Sequence, residues 1–167
     1  SLSLEALRGT TKAYDERVHK LKAHPGQITV AHNMRKNLRG STMVDNTKVQ
    51  DQYSLRCIPQ IHGAIRNAFY HVEQIVNTEL NSVTDNPLIF TDKGRFEVIS
   101  GGNFHGEPIA MVMDYLAIAM SEIANVSDRR ITSLLDPATN NGLPAFLSLN
   151  GGVNSGMMIL QYTTAAL

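Results

Sequence analysis

Gln50, Tyr53 and Arg56 recur at three-residue spacing within VQDQYSLRCIPQ. On a helical turn that spacing sets all three on one side. Arginine offers a planar fork that grips a carboxylate in two places. A tyrosine hydroxyl beside such a cation is suited to accept a proton. The trio therefore offers carboxylate recognition next to a proton acceptor. The same spacing also suits an interfacial patch in which tyrosine and arginine satisfy backbone carbonyls, and the residues alone leave both readings open.

A second cluster is GGNFHGEP at residues 101–108. Gly101, Gly102 and Gly106 permit close backbone approach or positive φ. Asn103 brings a donor and an acceptor, Phe104 a ring for a flat ligand, and His105 an imidazole. Glu107 and Pro108 are the residues expected at a helix start. Glycines around an amide, an aromatic ring and an imidazole exceed what a helix cap needs, and point to a pocket wall.

The remaining polar residues say less. His19, His24 and His32 lack ligand-like spacing with cysteine or acid, so no metal site is expected. His62 and His71 lie too far apart on one helix for chelation and read as surface or ordinary core positions. Asp128, Arg129 and Arg130 read as a solvated or subunit-facing charge cluster. GGVNSG at 151–156 is a glycine-bounded polar loop. There is no phosphate-cradling loop, and no serine, histidine and acid set in recognisable context.

These groups need elements to carry them. The 167 residues fit one domain with a real core. Fifteen basic side chains balance fifteen acidic ones, so no global charge attracts nucleic acid or an anionic membrane. Cys57 is alone, which excludes an internal disulfide and favours a small buried role. No signal peptide opens the chain. Asp114, Ser121 and Glu122 interrupt the longest apolar run before it reaches the length of a membrane span. The chain reads as soluble and cytoplasmic.

Periodicity predicts helices over 2–22, 27–38, 61–80 and 107–135, with a last one from about Met157. VQDQYSLRCIPQ is at most a partial helix ending near Cys57, because of Pro59. LIFTDKGRFEVIS, around Lys93-Gly94, predicts a small β-hairpin near 88–99. The helix from Glu107 is apolar on nearly every side and belongs in the middle of a bundle. The expected fold is mostly α, a long-helix bundle with one small β-hairpin.

Taken in order, SLSLEALRGTTKAYDERVHKLKAHPGQ, VQDQYSLRCIPQIHGA, SVTDNPLIF, SGGNFHGEPIAMVMDYLAIA and LPAFLSLNGGVNSGMMILQYTTAAL resemble successive blocks of the aromatic amino acid lyase and aminomutase family. YSLRCIPQ resembles its histidine enzymes more than its plant-type phenylalanine ones, and is less sharply set apart from its tyrosine and phenylalanine aminomutases. The resemblance spans essentially the whole chain.

It implies non-oxidative loss of ammonia from an aromatic amino acid, L-histidine giving urocanate. It further implies a methylidene-imidazolone electrophile made from an Ala-Ser-Gly tripeptide. Carried onto this chain, it assigns Arg56 to the substrate carboxylate and Tyr53 to proton transfer beside the prosthetic group. Gln50 hydrogen-bonds within the pocket, Phe104 lines the ring-binding wall, and Asn103 and His105 support that wall.

No Ala-Ser-Gly occurs in these residues, so the chain does not make the electrophile. Family members have that tripeptide, a second catalytic tyrosine and an asparagine upstream, and an active-site glutamate just beyond Leu167. The expectation is thus a central fragment of a longer enzyme, inactive alone, with a homotetramer as the family's assembly. A fragment of a tyrosine or phenylalanine aminomutase or ammonia-lyase, and a helical oligomerisation domain without catalysis, are the alternatives.

Overall fold

Seven α-helices, two 3₁₀ turns and one hairpin follow one another in the computed structural model, which describes residues 1–166. The expected helix over 2–22 is instead three pieces: α1 Leu2–Ala6, a 3₁₀ turn Lys12–Tyr14, and α2 Glu16–Lys22. Arg8 takes φ 47°, which no helix continues through. Gly9 N–H then returns to the Leu4 carbonyl at 2.8 Å. Asp15 starts α2 afresh, its carboxylate accepting from Arg17 N–H at 2.9 Å. Leu4, Leu7 and Tyr14 are buried, whereas Val18 and Leu21 are exposed. The apolar spacing that predicted one helix is shared by pieces facing different ways.

Helix α3 runs Pro25–Asn37, opening on a proline whose missing N–H would have had no partner there. The short α4, Tyr53–Arg56, follows a polar connector. Helix α5 runs Ile58–Leu80. It therefore begins before the expected Ile61, because Pro59 falls in its first turn, where a proline is tolerated. The hairpin pairs β1 Leu88–Asp92 with β2 Arg95–Ile99, Leu88 opposite Ile99 and Asp92 opposite Arg95. Its turn is Lys93-Gly94, with φ 49° and 79°, the left-handed pair that matches strand twist. Helix α6 runs Glu107–Leu135 as the periodicity predicts, and α7 runs Met158–Ala166.

The chain divides into two compact units. One contains Ser1–Asn67 and the chain from Ala119 onward. Its core is Leu4, Leu7, Tyr14, Met34, Leu38, Leu55 and Ile58. In it α3 and α5 touch backbone to backbone. A Cβ on Gly63 would lie 2.5 Å from the Gln27 backbone, and one on Gly26 would lie 2.2 Å from the Gly63 carbonyl oxygen. Gly63→Ala should destabilise the protein by about 3 kcal/mol, since two helix backbones must separate to admit a methyl group. Thermal denaturation checks this, and an unchanged Tm would refute the tight crossing.

The other unit is Ala68–Ile118. Ala68, Val72 and Val112 are buried there, and the rings of His71 and Tyr115 meet edge to face at 6.0 Å. Along α6, Met111 is 65% and Met120 46% exposed, so the described residues leave much of this apolar helix uncovered.

The expectation that no apolar stretch reaches a membrane-spanning length is corrected: α6 is long and apolar enough by length and composition. Asp114 and Glu122 are the only charges between Pro108 and Asn125, too few to offset the apolar residues around them. Helices in the centre of soluble bundles have the same composition.

Candidate functional site

Four residues are too few to sustain a helix through local bonds. Tertiary contacts hold α4 instead. Tyr14, fully buried, donates its hydroxyl to the Leu55 carbonyl at 2.7 Å. Burial, and after it the Asp51 charge, push this phenol well above its usual range, so it remains a donor. Arg130, on α6, donates through Nε to the Ser54 carbonyl at 2.9 Å. Ser133, one turn further, donates to Gln52 Oε1 at 2.7 Å, just before α4 starts.

The connector that leads into α4 is tied down in turn. Asn46 Oδ1 accepts from Thr11 N–H at 2.9 Å and from the Thr10 hydroxyl at 3.1 Å. Asp51 accepts from Thr10 N–H at 2.7 Å and faces Lys48 at 3.8 Å. Lys48 Nζ also donates to the Leu7 carbonyl at 3.2 Å.

Gln50, Tyr53 and Arg56 do meet, though not on one helical turn. Gln50 precedes the helix, whose N-cap is Gln52. The Arg56 guanidinium reaches back to donate to Gln50 Oε1 and lies over the Tyr53 ring, 4.8 Å from its centroid. Such stacking orients a guanidinium edge-on towards an anion.

The three line an open cleft of about 490 Å³ with Thr10, Lys12, Cys57 and Gln60. Lys12 and Arg56 are its cationic residues and none of its lining residues is acidic, which suits an anionic group. Tyr53 is 72% exposed.

Cys57 departs from its expected burial. It is half-buried in the cleft wall because it is the joint between α4 and α5, with φ −96°. The Asp128–Arg130 run also departs from its reading as one solvated or subunit-facing cluster, because its three side chains do not face one way. Successive helix positions point about 100° apart. Arg129 therefore sits outside and pairs with Asp128. Asp128 is buried and accepts from the Thr164 hydroxyl at 2.8 Å. The hydrogen bond from Arg129, and then that from Thr164, hold its carboxyl below the usual range. Arg130 turns inward to α4.

In the Ala68–Ile118 unit, Asn86 and Asn103 order the octapeptide. Asn86 Oδ1 accepts from Gly101 N–H at 2.7 Å, and Asn103 Nδ2 donates to the Val83 carbonyl at 3.2 Å. His105 Nδ1 accepts from Glu107 N–H at 3.2 Å, so the imidazole caps α6. Phe104 is left 61% exposed. The amide and imidazole are thus used to present one aromatic ring beside a helix start, whereas Gly101, Gly102 and Gly106 depart from expectation, with no positive φ and no neighbour within 4 Å of an added Cβ among the described residues.

Residue spacing missed Tyr14, Lys12, Gln60 and Arg130. Tyr14 and Arg130 lie 41 and 76 residues from the carbonyls they hold, and no local signal marks such pairs.

The model of the aromatic amino acid lyase family matches residues 1–167. Histidine ammonia-lyase of Caldanaerobacter subterraneus subsp. tengcongensis is 56% identical over 170 residues, covering 100% of this chain and 33% of that protein. Among solved structures, histidine ammonia-lyase from Trypanosoma cruzi is 45% identical with a TM-score of 0.88, over 99% of this chain and 30% of that one. Phenylalanine aminomutase from Pantoea agglomerans is 36% identical with a TM-score of 0.91, over 99% of this chain and 36% of that one. The chain spans about a third of the length of the curated relatives it matches.

Proposed function

The chain belongs to the aromatic amino acid lyase family, and on that premise we propose that it supplies part of the active site of a histidine ammonia-lyase. The reaction breaks the Cβ–H and Cα–N bonds of L-histidine, forms a C=C bond, and releases ammonia and urocanate. The observation that carries the proposal is Arg56, oriented by Gln50 and the Tyr53 ring at a cleft with cationic and no acidic lining residues. The higher identity to histidine enzymes than to the aminomutase supports this substrate.

Arg56 grips the substrate carboxylate with the guanidinium edge that Gln50 does not take. Its position fixes the orientation of the bound amino acid. Tyr53 holds or moves a proton at its hydroxyl oxygen, beside the bond that breaks. Phe104 contributes to the ring-binding wall of the whole enzyme, with Asn103 and His105 keeping its loop in shape.

Histidine's β-proton is barely acidic and its amine leaves poorly. A methylidene-imidazolone electrophile supplies the electron sink that turns the amine into a leaving group. These residues fit that group as neighbours and not as its source, for Ala-Ser-Gly is absent from the chain while Tyr53 is open to polypeptide lying outside it. The uncovered face of α6 supports a homo-oligomer, a tetramer in this family, with further copies on that surface. A soluble, cytoplasmic enzyme of histidine catabolism is the setting this implies.

The test is product analysis with the full-length protein that carries this chain. L-Histidine should give urocanate, read by its ultraviolet absorbance, and free ammonia in equal amount. A β-amino acid product would overturn the lyase in favour of an aminomutase. No turnover by a folded protein would leave a helical scaffold.

A further inference from the structure

We propose that Arg130 is a positioning residue for the carboxylate-binding arginine: from α6 it holds α4 through the Ser54 carbonyl and the His62 ring, and so sets the direction in which Arg56 enters the cleft. This rests on the reading of Arg56 given above. Nε donates to Ser54 O at 2.9 Å, and Nη2 lies 3.0 Å from His62 Nε2. A guanidinium has no acceptor, so Nε2 must accept, with the ring neutral and its proton on Nδ1. Burial, and then the Arg130 charge, hold the His62 imidazole below its ordinary range, which suits that state.

Three observations set Arg130 apart from ordinary packing. Among the described residues no carboxylate lies within ion-pair distance of it, although its neighbour Arg129 takes Asp128. A half-buried cation without a counter-ion is costly to place, and here its donors go to the Ser54 carbonyl and the His62 ring. Second, α4 has few bonds of its own in the stretch that matters: Leu55 N–H to Gln52 O at 3.1 Å, Arg56 N–H to Gln52 O at 2.9 Å and Cys57 N–H to Tyr53 O at 2.9 Å. The Ser54 and Leu55 carbonyls are taken from outside, by Arg130 and Tyr14. Third, the planar fork spans α4 and α5 at once, bracing the Cys57 joint between them from both sides. Removing it lets α4 rotate about that joint and carries Arg56 with it. A shift on the order of 1 Å in such a group costs about a hundredfold in rate.

The test uses the full-length protein, with Arg130→Met and Arg130→Lys compared with the unmodified enzyme. Two readouts are taken: steady-state kinetics with L-histidine, and hydrogen exchange of the Arg56 and Cys57 amides without substrate. Arg130→Met should raise KM about tenfold and lower kcat/KM about a hundredfold. Exchange at those two amides should quicken while α3 stays protected. Lysine keeps the charge and an ammonium donor but not the planar fork that spans two acceptors, so it should recover part of the KM.

A fall in kcat with KM unchanged would mean fewer folded sites, and would overturn the proposal. Should Arg130→Met not fold, Arg130→Lys decides by the same criterion, an unmoved KM counting against the idea. If the unmodified enzyme does not turn over L-histidine, the functional reading falls by itself. Exchange then still decides whether Arg130 holds α4, and unchanged amides would overturn it.

Discussion

Arg56→Ala in the full-length enzyme should lower kcat/KM for L-histidine by roughly a hundred- to a thousandfold, with KM raised and kcat reduced together. Truncating one partner of a desolvated charge pair costs about 2–5 kcal/mol, because the other charge is left unpaired. Both parameters suffer because the carboxylate is the handle by which the substrate is oriented as well as bound. Arg56→Lys should restore only a small part. One ammonium cannot reach Gln50 Oε1, stack on the Tyr53 ring and still present a second edge to the carboxylate. Steady-state kinetics with L-histidine decide this, and wild-type values in the alanine variant would remove Arg56 from the site.

The second large effect is expected from Tyr53→Phe. Phenylalanine keeps the ring on which the Arg56 guanidinium lies at 4.8 Å, and removes only the hydroxyl. Carboxylate binding should therefore survive, with KM within about threefold of wild type. A positioned proton-transfer group contributes about 10²–10⁴-fold, so kcat should drop into that range. The contrast between the two variants is the informative part. Arg56→Ala moves both parameters, whereas Tyr53→Phe moves kcat alone. A loss under tenfold in kcat would show that the hydroxyl has no part in proton transfer, and a raised KM would show that it positions the substrate instead.

The site divides into what spacing reveals and what it conceals. Tyr53 and Arg56 are one turn apart on a real helix, so their meeting follows from the chain's local geometry. Gln50 joins them for another reason. It lies outside the helix and is delivered by a connector anchored through Asn46, Lys48 and Asp51 to residues 7–11. Its three-residue offset from Tyr53 pointed to the correct partner by an incorrect route. The octapeptide was legible in its ingredients but not in their division of labour. That His105 caps α6 while Asn103 secures the loop depends on hydrogen bonds whose geometry composition does not reveal.

By itself, the sequence determined the family, the long helix Glu107–Leu135, the hairpin with its left-handed Lys93-Gly94 turn, and the adjacency of a phenol and a guanidinium. Each of these is written in short-range features: period, turn chemistry and neighbouring side chains. The tertiary structure alone decided that 2–22 breaks into three pieces, that Cys57 faces the cleft, and that Arg130 turns inward to grip Ser54 and His62. These outcomes depend on which distant groups compete for a given carbonyl or charge. A four-residue helix such as α4 has almost no stability of its own, so the position of the side chains proposed for the site is set by residues 40 or more places away.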